Sequence, residues 1–280
     1  MEMLYSAMDT FLPFAWAGHV FMKHAFLAVL LVMPLFGLLS TMVVSSRMAF
    51  FSDSLGHGAF TGIAIGALLG AVSPLASLIV FSVVFALFIT YIKNKSTAST
   101  DTIIGVFSST AIAAGLMIMS YGGSFNKFSS YLVGDILSIT TQELGALLLV
   151  CLLVLVMWGL LFNRLLVLSI NPSFARSRGV NSFLTESLFA ATLAVVVSIS
   201  IQWVGILIIN AMLVLPAAAA RNLAGNVKQY HFLSVLIAWM AGISGLILSY
   251  YFNMAAGATI VVISAGIFFL TLLLKPCFVR

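Results

Sequence analysis

Long uncharged apolar stretches alternate with short polar segments along this chain. Five of these stretches contain no charged residue: 25–44, 54–71, 74–92, 102–121 and 144–163. Each is close to the length of about 20 residues that a helix needs to cross a hydrocarbon core of about 30 Å. The pattern therefore predicts five membrane-spanning helices in this part of the chain.

Two longer stretches do not fit single helices. Residues 187–220 carry no charge, and as one helix they would extend about 51 Å, far beyond the thickness of a bilayer. We expect a break at 202–205, where Trp203 and Gly205 occur, giving spans near 187–201 and 205–220. The stretch 232–274 is similarly expected to break at 253–257. The total is about nine spans, or eight to ten if a short segment is assigned differently.

The distribution of positive charge tests this count. With nine spans and the N-terminus outside, one side receives 10 of the 12 Lys and Arg residues, and only Lys23 and Lys127 lie on the other. Joining 187–220 into one helix gives six on each side. Because basic loops stay cytoplasmic, the broken arrangement and a cytoplasmic C-terminus are favoured. Residues 1–23 then lie outside, and 11–21 are predicted to form an interfacial helix with Trp16 among the headgroups.

The amino-acid composition narrows the classes of function that this chain could have. Hydrophobic residues make up 62% of the chain and charged residues 7%, against roughly 25% charged in soluble domains. This predicts an all-α, polytopic protein of the cell (inner or plasma) membrane, with 1–280 as a single transmembrane domain. The net charge of +5 is assigned to cytoplasmic loops rather than to nucleic-acid binding. The chain has neither a phosphate-binding loop nor a His-Glu-x-x-His motif, so it is not expected to be an enzyme, and a permease, a channel or a structural membrane subunit remains.

The most pronounced polar feature is the segment 47–58, which holds Asp53 and His57. These residues are four apart and therefore share one face of a helix. Carboxylate and imidazole are both ligands for divalent metals, and ionisable groups at membrane depth are read by default as functional. The alternative is that Asp53 caps the start of the helix while His57 bonds a neighbouring carbonyl.

Three ordered motifs resemble the permeases of zinc/manganese-type ABC importers. Residues 46–57 (S-R-M-A-F-F-S-D-S-L-G-H) are similar to the signature R-R-M-S-F-F-G-D-A-L-S-H, 128–137 to a stretch containing Y-L-F-G-D-L-L, and 203–221 to F-V-G-x-L-L…P-A-A-T-A-R. Ser46 and Ser52 replace a usual Arg and Gly, and Gly56 and Gly58 take the places of the small residues beside the histidine, whereas both metal-ligand positions are kept. The resemblance runs from about residue 24 to 275.

The resemblance implies a type II fold like that of the vitamin-B12 importer. It also implies a permease homodimer, two cytoplasmic ABC ATPase subunits that hydrolyse ATP, and an extracytoplasmic metal-binding protein. The permease would have no cofactor of its own and would pass zinc, manganese or iron, since Asp and His suit all three metals. Self-sufficient cation channels, secondary metal transporters and ABC permeases for metal chelates are the alternatives.

The resemblance also assigns roles to further residues. The cytoplasmic segment 164–186 would hold the coupling helix that contacts the ATPase. Its residues also fit a short helix: Asn171 can cap the start, Pro172 suits the first turn and Gly179 can end it. The residues assigned to coupling are Asn171, Pro172, Ala175, Arg176 and Gly179.

The candidates for the pathway or its hinges are Asp135, Gly205 and Pro216. Asp135 either caps a short extracytoplasmic segment or lines the outer mouth of the pathway. The break at 202–205 is similar to the interrupted helices of transporter pathways, and a plain helix-turn-helix is the alternative.

Overall fold

The computed structural model describes Tyr5, Met8 and residues 14–70, 73–122 and 134–278. All regular structure in these residues is helical. Two short 3-10 helices lie at Ala15–Gly18 and Ile136–Ser138. The α-helices are α1 (Val20–Ser45), α2 (Ala49–Leu68), α3 (Pro74–Lys95), α4 (Thr100–Gly122), α5 (Thr141–Ile170), α6 (Pro172–Ser177), α7 (Ser182–Val204), α8 (Ile206–Met212), α9 (Leu215–Leu223), α10 (Val227–Phe252) and α11 (Ala256–Phe278).

Seven of these helices are long and apolar enough to cross a membrane, counting only the described residues. They are α1, α3, α4, α5, α7, α10 and α11. The remaining two predicted spans correspond to α2, which carries Asp53 and His57, and to the short helices α8 and α9. The polytopic helical fold is therefore confirmed, and nine is an approximate number of spans.

The break predicted at 202–205 is present. Helix α7 ends at Val204, and Gly205 separates it from α8 with φ +83° and ψ 155°. This region of backbone conformation is essentially restricted to glycine. Glycine at this position therefore permits the interruption.

A second break divides the predicted span 205–220. Helix α8 ends at Met212 and α9 begins at Leu215, with Pro216 in its first turn. Proline has no N–H to donate and its ring clashes with the carbonyl four residues before it, here that of Met212, which disfavours a continuous helix through this point. The single helix predicted here was wrong for this reason.

The break predicted at 253–257 is also present. Helix α10 ends at Phe252, and Asn253 follows in the left-handed conformation with φ +52°. Asparagine tolerates this conformation better than most residues. Helix α11 begins at Ala256.

The N-terminal region differs from the prediction of an interfacial helix over 11–21. Among the described residues it contains only the 3-10 helix before α1, which starts at Val20. The Trp16 side chain is buried, with its ring 5.3 Å from that of Phe26. The large apolar ring of Trp16 therefore packs into the bundle, and its level relative to the headgroups stays a prediction. Lys127 lies outside the described residues.

Helix α2 packs closely against two membrane-spanning helices. It packs against α3 and α4. A Cβ atom at Gly58 would lie 2.9 Å from the ring of Phe85, and one at Gly62 would lie 2.8 Å from Cβ of Phe81. Small residues that allow such approach are typical of helix contacts in membranes. The part of α2 that directly follows Asp53 and His57 is thereby held close to α3.

Candidate metal site

The start of α2 determines what Asp53 can do. The helix begins at Ala49, five residues earlier than predicted, and Met48 occupies the capping position without a side-chain hydrogen bond. Asp53 is the fifth helical residue, beyond the first turn that a capping side chain serves. The alternative that Asp53 caps α2 is therefore wrong.

Asp53 and His57 lie on one face of α2, as their spacing predicts. The distance from His57 Nε2 to Asp53 Oδ1 is 3.6 Å. The side chain of Asp53 is 45% exposed and that of His57 is 32% exposed, although Leu55 and Ala59 beside them are buried. A carboxylate oxygen and an imidazole nitrogen thus stand together on an accessible part of a central helix.

A third polar side chain meets this pair from the other end of the sequence. Asn210 of α8 donates a hydrogen bond from Nδ2 to Oδ1 of Asp53. Its own Oδ1 is buried and accepts no hydrogen bond from the described residues. Burying an amide oxygen without a partner costs free energy. This oxygen is therefore a further candidate metal ligand at the site.

Sequence reasoning missed Asn210. The one available signal was an amide inside the apolar stretch 187–220, where a polar side chain needs a partner. The partner, Asp53, lies 157 residues away, and no local pattern indicates such a contact. The two breaks around α8 are what bring Asn210 to α2.

One chain provides an incomplete set of strong ligands. Within the described part of the chain, no group of three or more His, Cys, Asp and Glu side chains could hold a metal. Asp53, His57 and Asn210 offer one carboxylate, one imidazole and one amide oxygen. Such a set can contact a divalent cation in passage, and a second copy of the chain would double it.

The other residues assigned to the pathway surround the interruption in α7–α8. Asp135 accepts a hydrogen bond from the amide of Leu137 at 3.0 Å and caps the 3-10 helix Ile136–Ser138. The preceding Gly134 has φ +69°, and a Cβ atom there would lie 2.2 Å from the nitrogen of Gly205. The segment of Asp135 therefore rests directly on the break, while Pro216 lies beyond the other end of α8.

The predicted coupling segment forms the short helix α6. The side chain of Asn171 accepts from the amide of Phe174 at 3.0 Å, and Pro172 is in the first turn. At the other end, the amide of Gly179 donates to Arg176 and that of Val180 to Ala175, both at 3.0 Å. These bonds form a Schellman motif, and Gly179 has the left-handed φ of +76° that it requires.

The side chains of α6 divide between the bundle and the exterior. Ala175 is completely buried, whereas Arg176 is exposed and Phe174 is 47% exposed. The connection between α5 and α7 is shorter than the predicted segment 164–186, because residues 164–170 belong to α5 and residues 182–186 belong to α7. The capped helix is confirmed, and its contact with an ATPase stays a prediction.

Comparison with known proteins identifies the family. Residues 18–275 match the ABC 3 transport family. The chain belongs to this family. It is a multi-pass membrane protein of the permease type, a transport subunit rather than an enzyme.

Named relatives and a solved structure extend over nearly the whole chain. The manganese import system permease protein ScaB of Streptococcus gordonii is 30% identical, over 91% of this chain and 92% of its own. The high-affinity zinc uptake system membrane protein ZnuB of Buchnera aphidicola is 28% identical, over 89% and 96%. The structure of PsaBC from Streptococcus pneumoniae in complex with Fab has a TM-score of 0.78 and 28% identity, covering 97% of this chain and 95% of that one.

Proposed function

We propose that this permease imports a divalent cation, either manganese, zinc or iron, and that Asp53, His57 and Asn210 contact the ion in passage. The observation that carries the proposal is the contact between α2 and α8. The Asp53 carboxylate is no helix cap; it stands beside an imidazole and is joined by an amide from an interrupted helix. Relatives named for manganese and zinc transport support this choice of substrate.

The chemistry of the three side chains suits a divalent cation. A carboxylate offsets part of the charge of the ion, which lowers the cost of moving it through a region of low dielectric. Imidazole is a good ligand for zinc and iron, and oxygen ligands suit manganese. This mixed set favours passage of several divalent ions over selection of a single one.

In this proposal the site is completed by a second copy of the chain. Two permeases related by a twofold axis would supply two carboxylates, two imidazoles and two amides from the same three positions. Zinc can take four such nitrogen and oxygen ligands, and manganese or iron can add water to reach six. The partial exposure of Asp53 and His57 supports this arrangement, because they are not enclosed by their own chain.

Energy for transport would come from a separate ABC ATPase that docks on α6. The exposed Phe174 and Arg176 offer an apolar and a cationic contact on a helix fixed at both ends. An extracytoplasmic binding protein would deliver the metal at the opposite end, near Asp135 and Gly205. Binding of ATP would then rearrange the two permeases in alternating access, with α6 and the C-terminus in the cytoplasm.

Reconstitution tests the proposal. The chain is placed in proteoliposomes with its ABC ATPase, the metal-binding protein is added outside, and accumulation of manganese, zinc and iron is measured with and without ATP. We expect ATP-dependent uptake of at least one of these ions and no ATP hydrolysis by the chain alone. Uptake that proceeds without any ATPase would instead identify a channel or a secondary transporter.

A further inference from the structure

A cavity of about 460 Å³ lies at the end of the bundle where α1 meets α2 and α5 meets α6. The walls come from the α1–α2 connection, the end of α3, the α5–α6 junction and the first turns of α7. This cavity is distinct from the metal site, since neither Asp53 nor His57 nor Asn210 lines it. Its lining instead includes Arg47, Lys93 and Glu186.

The charges in the cavity leave one cation unmatched. Lys93 Nζ is 3.0 Å from Oε2 of Glu186, and Asn94 Nδ2 donates to the same oxygen at 3.4 Å. Lys93 and Glu186 therefore neutralise each other. Arg47 is exposed and forms no ion pair with any carboxylate in the described part of the chain. The cavity consequently has a net charge of +1, carried by a guanidinium with several N–H donors.

The rest of the wall combines hydroxyl and apolar groups. Ser46 and Ser169 add hydroxyl groups, while Leu165 and Phe189 form part of the apolar wall. At the rim, Ile170 is 74% exposed. A phosphodiester anion joined to hydrocarbon chains matches this combination, since its phosphate can face Arg47 while its chains follow the apolar surface. A free phosphate ion would leave the apolar half of the cavity unused.

We propose that this cavity binds the phosphate group of an anionic phospholipid of the cytoplasmic leaflet. The level of the cavity in the membrane rests on the orientation given with the proposed function, in which Arg47, Lys93 and α6 are cytoplasmic. Basic pockets between transmembrane helices on that side are suited to lipid headgroups. Because Pro172, the first residue of α6, also lines the cavity, the bound lipid connects the composition of the leaflet to the segment proposed to receive the ATPase.

Lipid binding by the purified full-length chain tests this proposal. Native mass spectrometry measures retention of added phosphatidylglycerol and, separately, of phosphatidylcholine, which has no net charge. A basic residue near anionic lipid contributes about 1 kcal/mol, or about fivefold in affinity. We expect Arg47→Gln to weaken phosphatidylglycerol binding about fivefold. Lys95→Gln removes the same charge from an exposed position outside the cavity and should change binding less than twofold.

A second variant moves binding in the opposite direction. Glu186→Gln releases Lys93 and raises the net charge of the cavity to +2, so phosphatidylglycerol should bind about fivefold more tightly. Misfolding would weaken binding, so it could not explain a gain in Glu186→Gln. Binding of phosphatidylcholine should change less than that of phosphatidylglycerol in the Arg47 and Glu186 variants, because its choline cation offsets the charge of its phosphate.

Three outcomes would overturn the proposal: equal losses in Arg47→Gln and Lys95→Gln, equal binding of the two lipids, or no gain in Glu186→Gln. Displacement of the lipid by excess inorganic phosphate would assign the cavity to a soluble anion instead. The assay contains no metal and no ATP. A failure of metal uptake would therefore refute the proposed function without changing these lipid affinities.

Discussion

Replacing Asp53 by Asn separates a role in metal passage from a structural role. The substitution keeps the size and shape of the side chain, and the new amide oxygen can still accept the hydrogen bond from Asn210 Nδ2. Since Met48 occupies the capping position of α2, no helix cap is lost. What disappears is the negative charge beside His57.

The size of the effect follows from the charge and its exposure. A carboxylate and a dication whose charges are about 4 Å apart attract each other by about 8 kcal/mol at an effective dielectric of about 20. Because the Asp53 side chain is 45% exposed, water screens much of this attraction. Keeping about one third leaves about 3 kcal/mol for each carboxylate, so the affinity for the ion should fall by at least about a hundredfold.

Metal uptake by the same reconstituted proteoliposomes measures this loss of affinity for the ion. We expect the rate at low metal concentration to fall about a hundredfold in Asp53→Asn, while the amount of assembled protein and its unfolding temperature stay close to those of the wild type. Asp101→Asn makes the same chemical change in the first turn of α4, at an exposed residue. That control should transport normally.

A well-assembled Asp53→Asn protein that takes up manganese, zinc and iron within twofold of the wild-type rate would refute the reasoning. The carboxylate would then be a partner of Asn210 without contact to the ion. A large loss in Asp101→Asn would show that the assay responds to any change in surface charge.

Four further expectations follow from the geometry. Asn210→Leu keeps the side-chain size but removes its polar atoms, so metal uptake should fall about tenfold; an unchanged rate would remove Asn210 from the pathway. Arg176→Glu should abolish ATP-driven uptake and co-purification with the ATPase, because a reversed charge in an interface can cost several kcal/mol; normal coupling would contradict the role of α6. Gly205→Ala should lower the unfolding free energy by about 1–3 kcal/mol, whereas Gly159→Ala, which meets open space in α5, should be close to neutral in a thermal unfolding assay. Cys introduced at Arg221 should react with an impermeant reagent only in inverted vesicles, and labelling of intact cells would contradict the topology.

Local chemistry explains which parts of the fold are predictable. The interruptions at Gly205 and Asn253 were predicted because an uncharged stretch was too long for one helix and contained a residue suited to a break. The ends of α6 were predicted because Asn171 and Gly179 act within a few residues of their own position. In each case the signal and its consequence lie in the same short segment.

The missed features depend on surroundings that a local pattern does not contain. Helix α2 starts at Ala49 and continues through the charged Asp53, where it packs against α3 and α4; a count that ends each span at a charged residue places its start too late. Burial of Trp16 depends on its contact with Phe26. The pairing of Asp53 with Asn210 joins segments 157 residues apart, so two of the three side chains of the candidate metal site were predictable and Asn210 was not.

The contact between Gly134 and Gly205 restricts how this region can change during evolution. A methyl group at Gly134 would lie 2.2 Å from the backbone nitrogen of Gly205 and 2.5 Å from the carbonyl carbon of Val204, and backbone atoms cannot turn aside as a side chain can. Both glycines also have positive φ, +69° and +83°, so neither can acquire a side chain while the other compensates. A single substitution at either position therefore lowers stability, and sequence divergence is expected at the neighbouring positions instead.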